Sequence, residues 1–332
     1  MPQRVGLEFV VAGCQAIPGG KPVRSRVAVP LPPMDAAGPT RRDVLTDAYS
    51  HAKIAGGTAV SNRSITDGAN ANGSYSSANG VELYYEITGA GAPLLLLHGG
   101  VGASEMFAPV MPALVEGRQL VAVHLQGHGR STDNDLPLSF ESMADDVAAL
   151  TRHLGMDRAD VMGYSLGGGV ALQMTIRHPD LVRRLVVVSA PAKRQGFYPE
   201  ELRGMSEMGP EAAKYMPQSP LEAFYPGKDW ATLFTRLAQL LGREYDWSAE
   251  VAKIASPVML VYADADAIRT THIMEFFGLL GGGQKGAGLD GSQRPKARLA
   301  ILPGQTHYDV LTAPSLGGLV LSFLDAPVPG TA

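Results

Sequence analysis

The stretch Val161-Met162-Gly163-Tyr164-Ser165-Leu166-Gly167-Gly168-Gly169 constrains this chain most. It is a short apolar run that ends in a serine between glycines and continues as Val170-Ala171-Leu172-Gln173-Met174. The order reads as strand, sharp turn, helix. A turn that tight needs almost side-chain-free residues two places before and two places after the serine, because the entering strand and the leaving helix approach closely. Gly163 and Gly167 meet that need. The turn lifts the serine hydroxyl at the carboxyl end of the strand, and the first free N–H groups of the helix, Leu166 N–H foremost, point where negative charge can be held. The Gly-x-Ser-x-Gly spacing alone is weak. With 39 glycines among 332 residues, chance supplies about 0.3 matches.

Composition removes several alternatives. The chain is 45% hydrophobic and 18% charged, enough to bury a large core as one α/β domain with an insertion or as two domains. A net charge of −4 without a basic stripe argues against nucleic acid as a partner. The single cysteine, Cys14, permits neither an intramolecular disulfide nor a Cys-ligated metal cluster. No apolar run reaches the roughly 18 residues of a membrane span. Residues 1–73 are rich in Pro, Gly, Ala, Ser and Asn and carry no sustained period, which predicts an irregular extension without an essential strand. Within them, Thr40-Arg41-Arg42-Asp43-Val44-Leu45-Thr46 resembles a twin-arginine export signal, with Ala69-Asn70-Ala71 suited to cleavage. Asp47, His51 and Lys53 interrupt the apolar stretch that should lie between, so the segment reads either as a decayed leader or as a coincidental match within an irregular extension. The protein is expected to be cytoplasmic, or exported if the Arg41-Arg42 segment functions.

From Val81 the pattern sharpens. Val81 to Ile87 alternates and predicts an early antiparallel strand. Leu94–Leu97, Leu120–Val123 and Leu185–Ser189 are continuous apolar runs that predict buried parallel strands. The first ends in His98-Gly99-Gly100-Val101-Gly102 and the second in His124-Leu125-Gln126-Gly127-His128-Gly129-Arg130-Ser131. Ser139 opens a helix with Phe140, Met143, Val147, Leu150 and Leu154 at helical spacing and Gly155 as its stop. Buried runs alternating with helices imply a mostly parallel sheet covered on both faces. After Pro191 the strands cease for about sixty residues. Short helices are expected at 199–215, 220–225 and 230–241, carrying Met205, Met208, Met216, Phe224, Tyr225, Trp230, Phe234, Tyr245 and Trp247 in and around them. The sheet resumes at Pro257–Ala263, which delivers Asp264 and Asp266. A helix at 270–280, a glycine-rich loop without phosphate-binding spacing, a last strand at 298–302 and then His307 follow.

The Gly163–Gly167 elbow, the His98-Gly99-Gly100 loop and the order Ser165, Asp266, His307 resemble the α/β-hydrolase family in its serine-esterase form, over residues 75–326. The resemblance implies an α/β-hydrolase fold, a mostly parallel sheet flanked by helices with a small helical cap: core at 74–190 and 251–327, cap at 191–250. It implies Ser165 as nucleophile, His307 as general base, and the N–H groups of Gly100 and Leu166 as oxyanion donors. Asp264 and Asp266 both end the strand. The family's Gly-x-x-Asp pattern, with Ala263 at the Gly position, selects Asp266 and leaves Asp264 to cap the turn through backbone amides. His98 then braces its loop. His124 stands where the family's Asp-x-x-Gly-x-Gly-x-Ser turn has an aspartate, which bears on local hydrogen bonding rather than on the chemistry. His124 and His128 cannot form a helical metal pair, because Gly127 and Gly129 break any helix. No metal or organic cofactor is implied. The Met- and aromatic-rich cap suggests an adaptable apolar pocket, hence a small-molecule ester with an apolar acyl or alcohol group, cleaved through an acyl-enzyme. A lactonase, amidase, carbon–carbon bond hydrolase or perhydrolase would share these residues, and a receptor of this fold with little turnover is the non-enzymatic alternative.

Overall fold

The computed structural model describes residues 73–327 apart from 135, 208 and 209. The twin-arginine-like segment, and the localisation resting on it, lie outside the described residues. Eight strands form one sheet in the order β1-β2-β4-β3-β5-β6-β7-β8. They are β1 (Gly73–Ala78), β2 (Val81–Gly89), β3 (Ala92–Leu97), β4 (Arg118–Val123), β5 (Ala159–Tyr164), β6 (Val182–Val188), β7 (Val258–Ala265) and β8 (Arg298–Thr306). The β1–β2 and β2–β4 pairs are antiparallel and every other pair is parallel. Among the described residues, six α-helices run to eight residues or more: α1 (Phe140–His153), α2 (Leu166–Arg177), α3 (Pro199–Ser206), α4 (Trp230–Leu241), α5 (Thr270–Leu279) and α6 (Leu316–Leu324).

The apolar runs are continuous because both faces of the sheet are covered. Leu95, Leu97, Val121, Val123, Val161, Leu185 and Val187 point to one side, into a cluster with Met143 and Val147 of α1 and Val170 and Met174 of α2. Their neighbours Leu94, Leu96, Leu120, Ala122, Met162, Val186 and Val188 point to the other, against Phe107, Leu114 and Leu316, Val320 and Leu324 of α6. The Ser139 hydroxyl accepts the Ser142 N–H at 2.9 Å and caps α1, as the sequence predicts.

Two strands differ from expectation. β1 precedes the first alternating pattern; its sequence GSYSSA buries little beyond Ser76 and Ala78 and gives no hydrophobic signal. Its hairpin with β2 turns on Asn79 (φ 50°) and Gly80 (φ 84°), the Asn-Gly pair that tight hairpins favour. β8 runs past Leu302 to Thr306, where it pairs with Ala265 across a register shift.

The elbow is built on close approach. A Cβ on Gly163 would lie 2.1 Å from the Gly167 carbonyl oxygen, and one on Gly167 would lie 2.1 Å from the Leu97 carbonyl oxygen. Both obstacles are backbone, so neither gives way cheaply. Gly163→Ala should destabilise the fold by about 3 kcal/mol, the range for overpacking against an unyielding core; the urea midpoint of the variant measures it.

Candidate active site

Ser165 sits at φ 51°, ψ −115° between β5 and α2. Its N–H donates to the Val188 carbonyl at 2.9 Å, and its carbonyl accepts the Gly168 and Gly169 N–H groups. The residue is half-buried, and its hydroxyl lies 3.1 Å from Nε2 of His307. His307 follows β8 directly, and its Nδ1 lies 2.9 Å from Oδ1 of Asp266, just beyond β7. A serine, a histidine and an aspartate from three separated parts of the chain thus stand in one hydrogen-bonded line.

Asp266 is well supplied with donors. Oδ2 accepts the Ser189 hydroxyl at 2.5 Å and the Ala263 N–H at 3.0 Å, and Oδ1 also accepts the Ile268 N–H at 3.3 Å. Burial raises the proton affinity of this carboxyl, but the His307 imidazole, the Ser189 hydroxyl and the Ala263 amide outweigh it and hold the pKa below the ordinary carboxylate value. Asp264 goes elsewhere: its carboxylate accepts the Gly304 N–H at 3.0 Å and the Gln305 N–H at 3.2 Å, pinning the end of β8. The sequence reading places Ser189 only as the end of an apolar run, since a serine closing such a strand carries no pattern that points to a role at the site.

The loop after β3 reaches the same place. A Cβ on Gly100 would lie 4.0 Å from the Leu166 Cβ, so Gly100 and the first residue of α2 are neighbours. His98 braces this loop: Nδ1–H donates to the Gly99 carbonyl at 2.7 Å and Nε2 accepts the Leu125 N–H at 3.0 Å. Gly167 N–H donates to the His98 carbonyl. Of the four described non-glycine residues at positive φ, Asn79 turns the β1–β2 hairpin, while Val101 (58°), Ser165 (51°) and Ser189 (50°) all belong to the site and its supporting loops. Such backbone concentrates where surroundings over-determine it.

His124 replaces the expected aspartate without leaving a gap. Its Nδ1 accepts the Arg130 N–H at 3.0 Å, and its Nε2 lies 2.8 Å from the Ser104 hydroxyl, which in turn reaches Glu86. His128 Nδ1–H donates to the Gln126 carbonyl at 2.9 Å. Among the described residues its Nε2 meets no donor, and no three His, Cys, Asp or Glu side chains are placed to share a metal ion. In the segment between β6 and β7, Met216, Tyr225, Trp230, Phe234 and Trp247 are buried. The Tyr225 and Trp230 rings lie 4.4 Å apart, tilted at 35°, and Trp247 meets Phe140 of α1 at 5.2 Å. These residues fasten the segment to the sheet domain, and the Tyr225 hydroxyl donates to the Gly102 carbonyl of the loop above β3.

A model of the alpha/beta hydrolase fold family matches residues 92–285, more than half of the chain. The chain belongs to that family. Among curated proteins it is 28% identical over 221 residues to one named as a carbamate hydrolase, RutD, from Azorhizobium caulinodans, covering 60% of this chain and 83% of that one. The RutD protein of Caulobacter sp. strain K31 is 30% identical over 280 residues, covering 73% of this chain and 95% of its own. Among solved structures, the enol-lactonase of Burkholderia xenovorans LB400 superposes with a TM-score of 0.61 at 21% identity, covering 76% of this chain and all of that one. Among the described residues, no helix is long and apolar enough to cross a membrane.

The buried histidines make stability pH-dependent. Burial holds His98 down to about 3, His128 to about 4 and His124 to about 2. Each is neutral in the fold, whereas the unfolded chain protonates it near 6.5. The unfolded state therefore binds more protons below pH 6.5, and stability falls as pH drops from there toward 4. Between pH 6 and pH 5 the three histidines together should cost about 4 kcal/mol. Urea unfolding at the two pH values measures this, and His128→Asn should remove roughly a third of the difference.

Proposed function

We propose that the protein is a serine hydrolase that cleaves carboxylic esters with an apolar acyl or alcohol group through an acyl-enzyme. One observation carries the reading: the line from Ser165 Oγ to His307 Nε2 at 3.1 Å and from His307 Nδ1 to Asp266 at 2.9 Å. A serine hydroxyl is a weak nucleophile until an adjacent base takes its proton, and that base needs a third group to fix its tautomer. In this mechanism His307 removes the Ser165 proton as Oγ bonds to the ester carbon. The carbonyl electrons move to oxygen, where the N–H groups of Gly100 and Leu166 hold the charge, each donor lowering the barrier by about 3 kcal/mol. Collapse expels the alcohol, which takes the proton from His307. Water, deprotonated by His307, then attacks the acyl-enzyme and frees the acid and Ser165. Asp266 stays ionised throughout, consistent with its lowered proton affinity, and stabilises the imidazolium.

In the same reading, residues 191–250 cap the site, tied to it through the Tyr225–Gly102 bond and the bridge between Phe197 and Ile268. The names of the two RutD relatives favour carbamates as a second substrate class. Carbamates present the same acyl carbon to the same serine, so only the leaving and acyl groups differ.

Ser165→Ala should leave the circular dichroism spectrum unchanged, abolish labelling by an organophosphonate and abolish hydrolysis of a short p-nitrophenyl ester. Retained hydrolysis would sink the serine mechanism. A panel of esters, carbamates, lactones and amides ranks the substrate classes by kcat/KM, and tight small-molecule binding without turnover anywhere would favour the receptor. Asp266→Asn should lower kcat by about 10⁴-fold, since it stabilises the wrong imidazole tautomer. Asp264→Asn should be far milder; the reverse order in a kcat comparison would move the acid role to Asp264.

A further inference from the structure

Tyr164 occupies the place before Ser165, where the Gly-x-Ser-x-Gly pattern accepts any residue. Its side chain is only 4% exposed and meets the base and the loop after β3. The hydroxyl donates to the main-chain carbonyl of His307 at 2.7 Å. The ring lies 5.6 Å from the His307 imidazole at 36°. A Cβ on Gly99 would fall 2.8 Å from ring carbon Cε1, so the loop that carries Gly100 rests against the same ring. Within the turn that holds His307, Asp309 accepts from the Thr306 N–H and hydroxyl and the Tyr308 N–H donates to Thr306 Oγ1; from outside it, Asp266 meets the imidazole, Asp264 holds Gly304 and Gln305, and the Tyr308 hydroxyl reaches Glu201. The phenol links that turn to β5, the strand that carries the serine.

We infer that Tyr164 is a positioning residue, whose hydroxyl holds the His307 main chain, and with it the imidazole, at hydrogen-bonding distance from Ser165. The inference rests on the roles given to Ser165 and His307 under the proposed function. At 3.1 Å the Ser165–His307 contact is near the long end for a hydrogen bond, and displacement of the base by even 1 Å would take the pair out of reach. Ring packing alone permits the loop to slide along the aromatic face. The hydroxyl fixes where it stops.

Tyr164→Phe keeps the ring and removes the bond. With p-nitrophenyl butyrate and a fluorophosphonate as probes, and kcat referred to titrated sites, kcat should fall about tenfold while KM stays within twofold. The rate of fluorophosphonate labelling should fall by the same factor, and the low-field Nδ1 proton signal of His307 should broaden. Tyr262→Phe is the matched control, because Tyr262 is also buried and donates to a main-chain carbonyl, that of Ala190, at 2.8 Å. It should lower the melting temperature comparably and leave kcat per titrated site unchanged. Wild-type kcat and labelling rate in Tyr164→Phe, or equal losses in both variants, would overturn the inference alone. Failure of the wild-type protein to label at Ser165 would overturn the functional reading and this inference with it.

Discussion

The site depends on how closely β5 and α2 can approach at the elbow. The Gly167 carbonyl stands where a side chain on Gly163 would have to go, and the carbonyls of Leu97 and His98 stand where one on Gly167 would go. Three backbone segments therefore touch without side chains between them. That contact places Ser165 at positive φ, sends α2 back across the sheet, and brings the loop after β3 beside the first turn of the helix. Remove the two glycines and the serine, its candidate charge-holding amides and the packing of α2 would all move together.

Around this contact the protein buries several polar side chains and gives each of them partners. His98, His124, Ser189, Asp266 and His307 are all buried, and each has partners of fixed geometry. Buried polar groups of this kind are costly when unsatisfied and rigid when satisfied. The neutral histidines below the loop brace the backbone, whereas Asp266 retains its charge beside His307. The two kinds of residue lie near each other and are set apart by their donors: His98 and His124 each accept one main-chain amide, while Asp266 accepts a hydroxyl and two amides besides facing an imidazole.

Much of this architecture was legible in the sequence because hydrophobic pattern and order along the chain carry it. Four continuous apolar runs at Leu94, Leu120, Leu185 and Val258 marked strands covered on both faces, and Ser139 and Gly155 bounded a helix. The order of Ser165, Asp266 and His307, together with the glycines, pointed to residues that the fold does bring together. What stayed hidden depends on contacts between distant segments. β1 has too little apolar surface to announce itself and exists because β2 offers it an edge. Ser189 and Tyr164 acquire their partners only once β6 lies beside β7 and β5 beside the turn after β8. The sequence shows that His124 replaces an aspartate and so bears on local hydrogen bonding, but not the Ser104 and Arg130 groups that meet it.

The sheet order has a consequence for the timing of biosynthesis. β3, β5 and β6 are adjacent and close together in the chain, while β7 and β8, which present Asp266 and His307, come after the long helical segment. A ribosome that has delivered residues up to the end of α2 has already made the serine turn and its glycine loop, yet His307, 142 positions beyond Ser165, is still untranslated. Until then the hydroxyl is an ordinary alcohol on a nascent chain. Under the proposed function, the serine gains its base only when β8 docks at the edge of the sheet, so a chain that stops short of residue 307 carries the proposed nucleophile alone.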